Sequence, residues 1–209
     1  MPDLRQVVVW SGVDSWRAEI ARVDLQSDGV RASGTQIGVD PVAYRLDYEL
    51  DASENFVTRE LRVQAEGEGW SRGLHVRHDG RGAWSCQAEE AGEVDLPAPG
   101  GSVEAVAGAL DCDLGRSPLT NLMPVRRHGL HEGEGAEDFL MAWISVPDLG
   151  LHPSRQRYEH MRRDDSGAVV RYVGAHRGFV GELEVDRQGL VMLYPDLAER
   201  VAGTGPGSN

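Results

Sequence analysis

Several stretches of the chain alternate strictly between apolar and charged residues, and this alternation limits the fold more than any other feature. From Tyr44 to Asp51, aromatic and aliphatic side chains take every second position and charged side chains take the positions between. Glu182 to Asp186 repeats the pattern near the other end of the chain. Neighbouring side chains point to opposite faces of a β-strand, so such stretches form half-buried strands. The sequence therefore predicts an all-β protein with little helix.

Turns with glycine separate the predicted strands, as expected for an antiparallel sheet. Residues 79–82 and 186–189 each begin with aspartate and end with glycine, which allows positive φ between two apolar stretches. Phe139 to Val146 is apolar at nearly every position, which is typical of a central strand covered on both faces. Helix is predicted only at 102–110 and 195–201. We expect an extended antiparallel sheet rolled into a barrel or half-barrel.

The length of 209 residues fits a single domain, which we place at 1–202, followed by a flexible tail at 203–209. Both halves contain, in the same order, an aromatic strand, an Arg-bearing strand, an alternating strand and an Asp-x-x-Gly turn. An internal duplication with halves 1–95 and 102–202 is therefore an open alternative, although the spacings differ between the halves. The Gly/Pro-rich stretch 96–101 predicts a surface loop at the seam.

The formal net charge is -13, which opposes binding to nucleic acid and to anionic membrane surfaces. The apolar run from Val7 to Trp10 is too short for a signal peptide or a transmembrane helix, so we expect a cytoplasmic protein without integral membrane association. Cys86 and Cys112 lack a C-x-x-C spacing and are predicted to be free thiols.

All 21 basic residues are arginine, and this excludes several kinds of chemistry. A P-loop needs a lysine for the phosphates, and Schiff-base enzymes need an amine that can lose its proton. Kinase-like, pyridoxal-phosphate and aldolase functions are therefore excluded. No cofactor and no metal site are predicted.

Arg59 lies in a predicted strand, Val57 to Val63, on the same side as the apolar residues. A guanidinium that faces the interior needs a partner, because an unpaired buried charge is strongly destabilising. The partner is either an inward carboxylate such as Glu19 or the polar head of a ligand. A third alternative is an arginine at the strand edge that reaches water.

The stretch 117–127 is the most unusual segment of the chain. Two prolines fix its ends, Asn121 can hydrogen bond to its own backbone, and a strand is then predicted to begin with Arg126 and Arg127. Since neighbours in a strand point in opposite directions, one of these two arginines should face inward. The segment is either a structural crossing loop or a wall of a binding site.

Gln156 and Tyr158 share one face of a predicted strand. Polar groups on an aromatic-rich inner face suit a cavity for an amphipathic ligand, and they equally suit a sheet that satisfies its own hydrogen bonds. The G-x-S-x-G match at 69–73 lacks the helix that a nucleophile elbow requires. Asp111 and Asp113 share a strand face, but carboxylates beside a loop more often bind backbone amides than act as an acid–base pair. No catalytic residue is assigned.

These residues together resemble the bacterial family named "putative glycolipid-binding", formerly a domain of unknown function. The similarity runs from Trp10 to Leu197, and its most specific part is Thr-Asn-x-x-Pro-x-Arg-Arg at 120–127. The further matching positions are Glu19, Gly34, Tyr44, Val57-Thr58-Arg59, Gly82-Ala83-Trp84, Ala142-Trp143, Gln156-Arg157-Tyr158, Gly189-Leu190-Val191 and Tyr194-Pro195. Phe56 departs from the pattern, where the family tends to have tryptophan. The resemblance implies a cytoplasmic, rolled β-sheet and a lipid-like ligand.

Our leading hypothesis is a binding protein for a small hydrophobic or amphipathic molecule, lipid- or glycolipid-like, held in a β-lined cavity. An enzyme acting on a hydrophobic metabolite in the same cavity, such as a cyclase, isomerase or hydrolase, is the alternative, and an interaction module that uses its sheet edges is the third. The oligomeric state is not readable from the sequence. The predicted ligand-binding residues are Arg59, Arg126, Arg127, Asn121, Tyr48, Trp143, Gln156, Tyr158 and Glu19.

Overall fold

A computed structural model describes residues 4–174 and 178–201. These residues form fourteen strands, one short helix and two 3-10 turns, at Glu104–Val106 and Leu119–Asn121. The elements are β1 (Leu4–Gly12), β2 (Arg17–Leu25), β3 (Val30–Gly38), β4 (Tyr44–Ala52), β5 (Glu60–Gly67), β6 (Trp70–His78), β7 (Trp84–Gly92), β8 (Asp111–Leu114), α1 (Leu122–Arg127), β9 (Ala136–Ile144), β10 (Leu151–Arg163), β11 (Gly167–Gly174), β12 (Phe179–Asp186), β13 (Val191–Tyr194) and β14 (Ala198–Arg200). The predicted all-β class is confirmed.

The fourteen strands in the described part of the chain belong to one sheet, in the order β7-β6-β5-β4-β3-β2-β1-β14-β13-β12-β11-β10-β9-β8. Neighbouring strands are antiparallel except for β8 and β9, which are parallel. The alternation predicts the buried face correctly, since every second residue of β4 from Tyr44 to Ala52 is buried. The first seven strands and the last seven meet where β1 pairs with β14. The single domain at 1–202 and the internal duplication stay predictions, and the predicted tail at 203–209 lies outside the described residues.

The sheet is curled and open, which confirms the half-barrel alternative. Its two edge strands, β7 and β8, stand at opposite ends of the strand order. The curl brings β8 against the segment that leads into β5, which is near β7 in that order. The Thr58 N–H donates to the Leu110 carbonyl at 3.0 Å, and the Cys112 N–H donates to the Thr58 hydroxyl at 2.9 Å. The main core fills the inside of the curl, and a smaller cluster around Tyr158 and Val170 packs beneath β10 to β13.

Four local predictions were wrong. Residues 102–110 contain only the 3-10 turn Glu104–Val106, and 195–201 form a turn followed by β14. The stretch that includes Arg126 and Arg127 is α1 instead of a strand. Pro124 is tolerated in the first turn of this helix, because a backbone N–H at that position would have no helical acceptor. The strand β9 was expected to be central but is second from the edge. None of the helices in the described ranges is long and apolar enough to cross a membrane.

The predicted position of Arg59 on an apolar strand face, within 57–63, was also wrong. The strand β5 begins at Glu60, and Arg59 and Glu60 are both half-buried, so the period of two is interrupted at this point. The side chain of Arg59 is 39% exposed, and its guanidinium lies 4.0 Å from the carboxylate of Glu54. Glu19 lies in a separate buried cluster with other partners. Arg59 therefore neither pairs with Glu19 nor faces the core.

Candidate functional site

A cleft of about 740 Å³ lies at one end of the curled sheet, where strands begin and end. Because neighbouring strands are antiparallel, the ends of β1, β3, β9 and β13 meet the beginnings of β2, β4, β12 and β14 at this end of the sheet. The connections at 13–16, 39–43, 115–118, 145–150 and 195–197 all contribute residues to the cleft. The site is thus assembled from segments that are distant in the sequence.

One wall of the cleft is aromatic. Tyr172, Phe179 and Tyr194 line it, and the centroids of their rings lie 5.7 to 6.0 Å apart in each pair. These are ordinary contact distances for tilted and edge-to-face aromatic rings. Trp143 lines the cleft as well and packs its ring 5.5 Å from that of His152. This wall offers a broad apolar surface to a ligand.

The floor of the cleft is a network of polar side chains from β8, from β10 and from the 3-10 turn Leu119–Asn121 that precedes α1. Gln156 donates its amide N–H to Asp113 at 2.6 Å, and the Thr120 hydroxyl donates to the same carboxylate at 3.0 Å. The Tyr158 hydroxyl lies 2.8 Å from Asn121 Oδ1 and 3.0 Å from Gln156 Oε1. Burial raises the pKa of Tyr158 well above its ordinary value, so this hydroxyl stays protonated as a donor. The network fixes the side chains of Asn121 and Gln156 that reach the cleft.

A second polar cluster lies behind the cleft. Glu19 Oε1 accepts hydrogen bonds from the Tyr48 hydroxyl at 2.6 Å and from the Ser117 hydroxyl at 2.7 Å. Complete burial raises the pKa of Glu19 to about 7, although the hydrogen bonds from Tyr48, Ser117 and Gln36 and the charge of Arg17 oppose this rise. Ser117 also lines the cleft, so Glu19 is one side chain away from it.

The charge of the cleft is acidic. Among the described residues that line it are five aspartates and one arginine, Arg116. Arg116 pairs with Asp40 at 3.0 Å, and Asp14 pairs with the buried Arg17 outside the lining. Two of the groups that donate to Asp113, the Thr120 hydroxyl and the Gln156 amide, are neutral. The field in the cleft therefore favours neutral or cationic polar groups and disfavours anionic ones.

Of the nine residues predicted from the sequence to bind a ligand, Asn121, Trp143 and Gln156 line the cleft. Tyr158 hydrogen bonds to two of them from behind. Tyr48 and Glu19 lie one layer deeper, linked to the cleft through Ser117.

The three predicted arginines lie elsewhere. Arg127 forms a buried pair with Asp111 through two hydrogen bonds, and this pair joins α1 to β8. Arg126 lies 3.0 Å from the ring nitrogen of His131, outside the cleft. Arg59 directly precedes β5, is half-buried, lies 4.0 Å from Glu54 and is not among the residues that line the cleft. Apart from Arg116, which pairs with Asp40, the polar groups described in the lining of the cleft are therefore mainly amides, hydroxyls and carboxylates.

Sequence reasoning missed the aromatic wall. Tyr172 and Phe179 were not selected, because an aromatic residue on a strand is usually a core residue. Tyr194 stood in the set of matching positions, together with Pro195, and this was the one signal for that side of the cleft. Ser117 was noted only as the start of an irregular loop.

The fold and the cleft define an all-β protein built on a single curled sheet, with an amphipathic site at one end of the sheet. The sequence model of the family described as "Putative glycolipid-binding" matches residues 7–200, and the chain belongs to this family. A protein of the DUF1089 family from Pseudomonas aeruginosa, known from a crystal structure, is similar in fold with a TM-score of 0.67 and 30% sequence identity. The similarity covers 90% of this chain and 93% of that one. No curated protein matches the chain.

Proposed function

We propose that this protein binds a small amphipathic molecule, lipid- or glycolipid-like, in the cleft at the end of the sheet. The observation that carries the proposal is that one cleft of about 740 Å³ is lined both by a cluster of aromatic rings and by a network of polar side chains. Ligand sites commonly combine a mainly apolar lining with a few directed polar groups and have volumes of about 300–1,000 Å³. The family description agrees with a ligand of this kind.

The polar head of the ligand should be uncharged or cationic and rich in hydrogen-bond donors. Asp113 offers carboxylate oxygens, and the amide side chains of Asn121 and Gln156 lie beside it. Hydroxyl groups donate readily to carboxylates, and the acidic cleft repels an anionic head. A neutral sugar or polyol head meets both conditions. The apolar part of the ligand would then lie against Tyr172 and Phe179.

Native mass spectrometry of the protein purified from its own host tests the proposal directly. We expect an adduct whose mass corresponds to an amphipathic molecule and which an organic solvent removes. Protein that carries no such adduct, and that binds nothing from a lipid extract of the host, would contradict the proposal.

Substitution of Phe179 should weaken binding of the recovered ligand. Phe179→Ala removes apolar surface from the wall without removing a polar group, and we expect about tenfold weaker binding by isothermal titration. Arg59→Ala is the matched control, because Arg59 lies outside the cleft and its side chain is 39% exposed. Equal losses in the two variants would show that the ligand does not use this wall.

An enzyme that acts on a hydrophobic metabolite is a second candidate, favoured by the cluster behind the cleft. A carboxyl with a pKa of about 7 is suited to exchange protons near neutrality, and the Ser117 hydroxyl connects Glu19 to the cleft. Host extracts incubated with the protein and analysed by mass spectrometry would reveal turnover. Turnover that survives Glu19→Gln would exclude this carboxyl as the proton carrier.

The location and the partners remain sequence predictions. We expect a cytoplasmic protein, and the net charge of -13 opposes a nucleic-acid partner.

A further inference from the structure

Exposed apolar side chains surround the mouth of the cleft. The exposed fractions are 64% for Trp16, 52% for Val39, 50% for Val13 and 61% for Val180. Single exposed apolar residues are common on protein surfaces, but several around one opening indicate a contact surface. An indole with this exposure is unusual within the chain, since Trp10, Trp70 and Trp84 are all buried.

The topology places these four residues, which we call the rim, at the same end of the sheet as the cleft. In the β2–β3 pair, Arg17 lies opposite Gly38. Trp16 directly precedes β2 and Val39 directly follows β3, so the two residues flank the same end of this pair. The Val13 N–H donates to the carbonyl of Leu197 at 3.1 Å, and Leu197 lines the cleft. Val180 itself lines the cleft. The rim is therefore continuous with the site.

The charges near the rim restrict what it can contact. Asp14 and Asp40, which lie on the same loops as Trp16 and Val39, are paired with Arg17 and Arg116. The aspartates on the two loops that carry Trp16 and Val39 are thus each neutralised by an arginine, whereas the chain as a whole has a net charge of -13. An anionic surface would be repelled, whereas the ammonium groups of a zwitterionic lipid surface are attracted by the other aspartates that line the cleft, such as Asp148 and Asp196.

We propose that the rim docks the mouth of the cleft onto a zwitterionic lipid surface, with the indole of Trp16 at the level of the headgroups. Tryptophan is favoured at this depth because one part of the ring is apolar and the N–H is polar. The inference rests on the proposed function, because an amphipathic ligand resides in such a surface. Docking in this orientation lets the ligand pass between the bilayer and the cleft without crossing water.

Flotation with phosphatidylcholine vesicles tests the docking. We expect the full chain to float with these vesicles, and binding to fall when phosphatidylglycerol replaces part of the phosphatidylcholine. Trp16→Ser and Val39→Ser should each weaken vesicle binding, Trp16→Ser by about tenfold. Val7→Ser is the matched control for Val39→Ser, because Val7 is 58% exposed and lies within β1, away from the rim.

Quenching by brominated phosphatidylcholine provides a second measurement. Trp16 is the most exposed of the described tryptophans, so its fluorescence should be quenched most, and the quenching should disappear in Trp16→Phe. This conservative variant retains an aromatic ring and should still float with the vesicles. Quenching that persists without Trp16 would overturn the proposed orientation.

The outcomes separate the docking from the ligand binding. A wild-type chain that takes up a short-chain, water-dispersed amphiphile but does not float overturns the docking and leaves the proposed function in place. A chain that floats through the rim but takes up no amphiphile supports the docking and contradicts the proposed function. Concentration-dependent dimerisation that Trp16→Ser abolishes would also overturn the docking, because the rim would then contact a second copy of the chain.

Discussion

One buried carboxyl behind the cleft, that of Glu19, is held by hydrogen bonds from neighbouring polar side chains. Glu19 receives two hydroxyl donors on one carboxylate oxygen, while the other oxygen accepts from the amide of Gln36 at the longer distance of 3.5 Å. Removing a carboxylate from water favours its protonated form unless strong donors compensate. Here burial outweighs the donors, so the pKa of Glu19 rises to about 7. This carboxyl therefore changes charge in the neutral range.

Glu19→Gln should remove a pH-dependent loss of stability. The pKa of this carboxyl is about 7 in the folded state and 4.5 as its ordinary value, which we take for the unfolded state. The stabilising contribution is complete below pH 4.5 and is lost as the pH rises through 7, because the unfolded chain ionises first. Relative to Glu19→Gln, the wild type should lose a few kcal/mol of unfolding free energy over this range.

Urea denaturation of both proteins at a series of pH values measures this difference. All other titrating groups are shared, so they cancel when the two curves are subtracted. Parallel curves would contradict a raised pKa for Glu19.

At the scale of elements, tyrosines packed over glycines shape the sheet near the cleft. Gly34 in β3 lies directly opposite Tyr48 in β4, and Gly38 lies opposite Tyr44 in the same pair of strands. A Cβ atom on Gly34 would meet the ring of Tyr48 at 2.5 Å. The absence of a side chain thus allows the tyrosine to lie across the neighbouring strand, where its hydroxyl reaches Glu19.

Gly34→Ala should destabilise the protein by about 1–3 kcal/mol, because the methyl group displaces a packed aromatic ring. Gly133→Ala is the matched control, since a Cβ there would meet nothing within 4 Å. We expect its unfolding free energy to be unchanged or slightly raised. Chemical denaturation gives both values, and similar stabilities for the two variants would show that the ring adapts freely.

At the scale of the whole molecule, the curl of the sheet depends on contacts between distant segments. Thr58 is completely buried at the point where β8 meets the beginning of β5. Its hydroxyl accepts the backbone N–H of Cys112, which is 54 residues away. A buried N–H without an acceptor is costly, so this hydroxyl helps to define how the two parts of the sheet face each other.

Thr58→Val should cost about 1–3 kcal/mol although the two side chains have nearly the same shape, because it leaves the Cys112 N–H without its acceptor. Hydrogen exchange of the Cys112 amide should become faster in this variant. Thr58→Ser keeps the hydroxyl and should preserve the slow exchange of that amide, even if the lost methyl group lowers the overall stability. Fast exchange in both variants would assign the protection to packing alone.

The local pattern was informative where burial alternates regularly and misleading where it does not. The alternation from Tyr44 to Asp51 correctly identified β4 and its buried face. It failed at Arg59, because two successive residues there are half-buried and the period of two is interrupted. The helix α1 was also missed, because apolar residues beside prolines fit an extended segment as well as a short helix.

The sequence by itself determined the all-β class and the family, because these follow from the periodicity of the strands and from matching residues in order. It left a barrel and a half-barrel both open, and the structure decided for the curled, open sheet. Only the tertiary structure decided where the cleft lies and which residues line it. The pairing of β1 with β14 joins the first and the last strand, and loops far apart in sequence then meet at one end of the sheet. Such long-range neighbours leave no periodic signal, since each loop is locally an ordinary connection between strands.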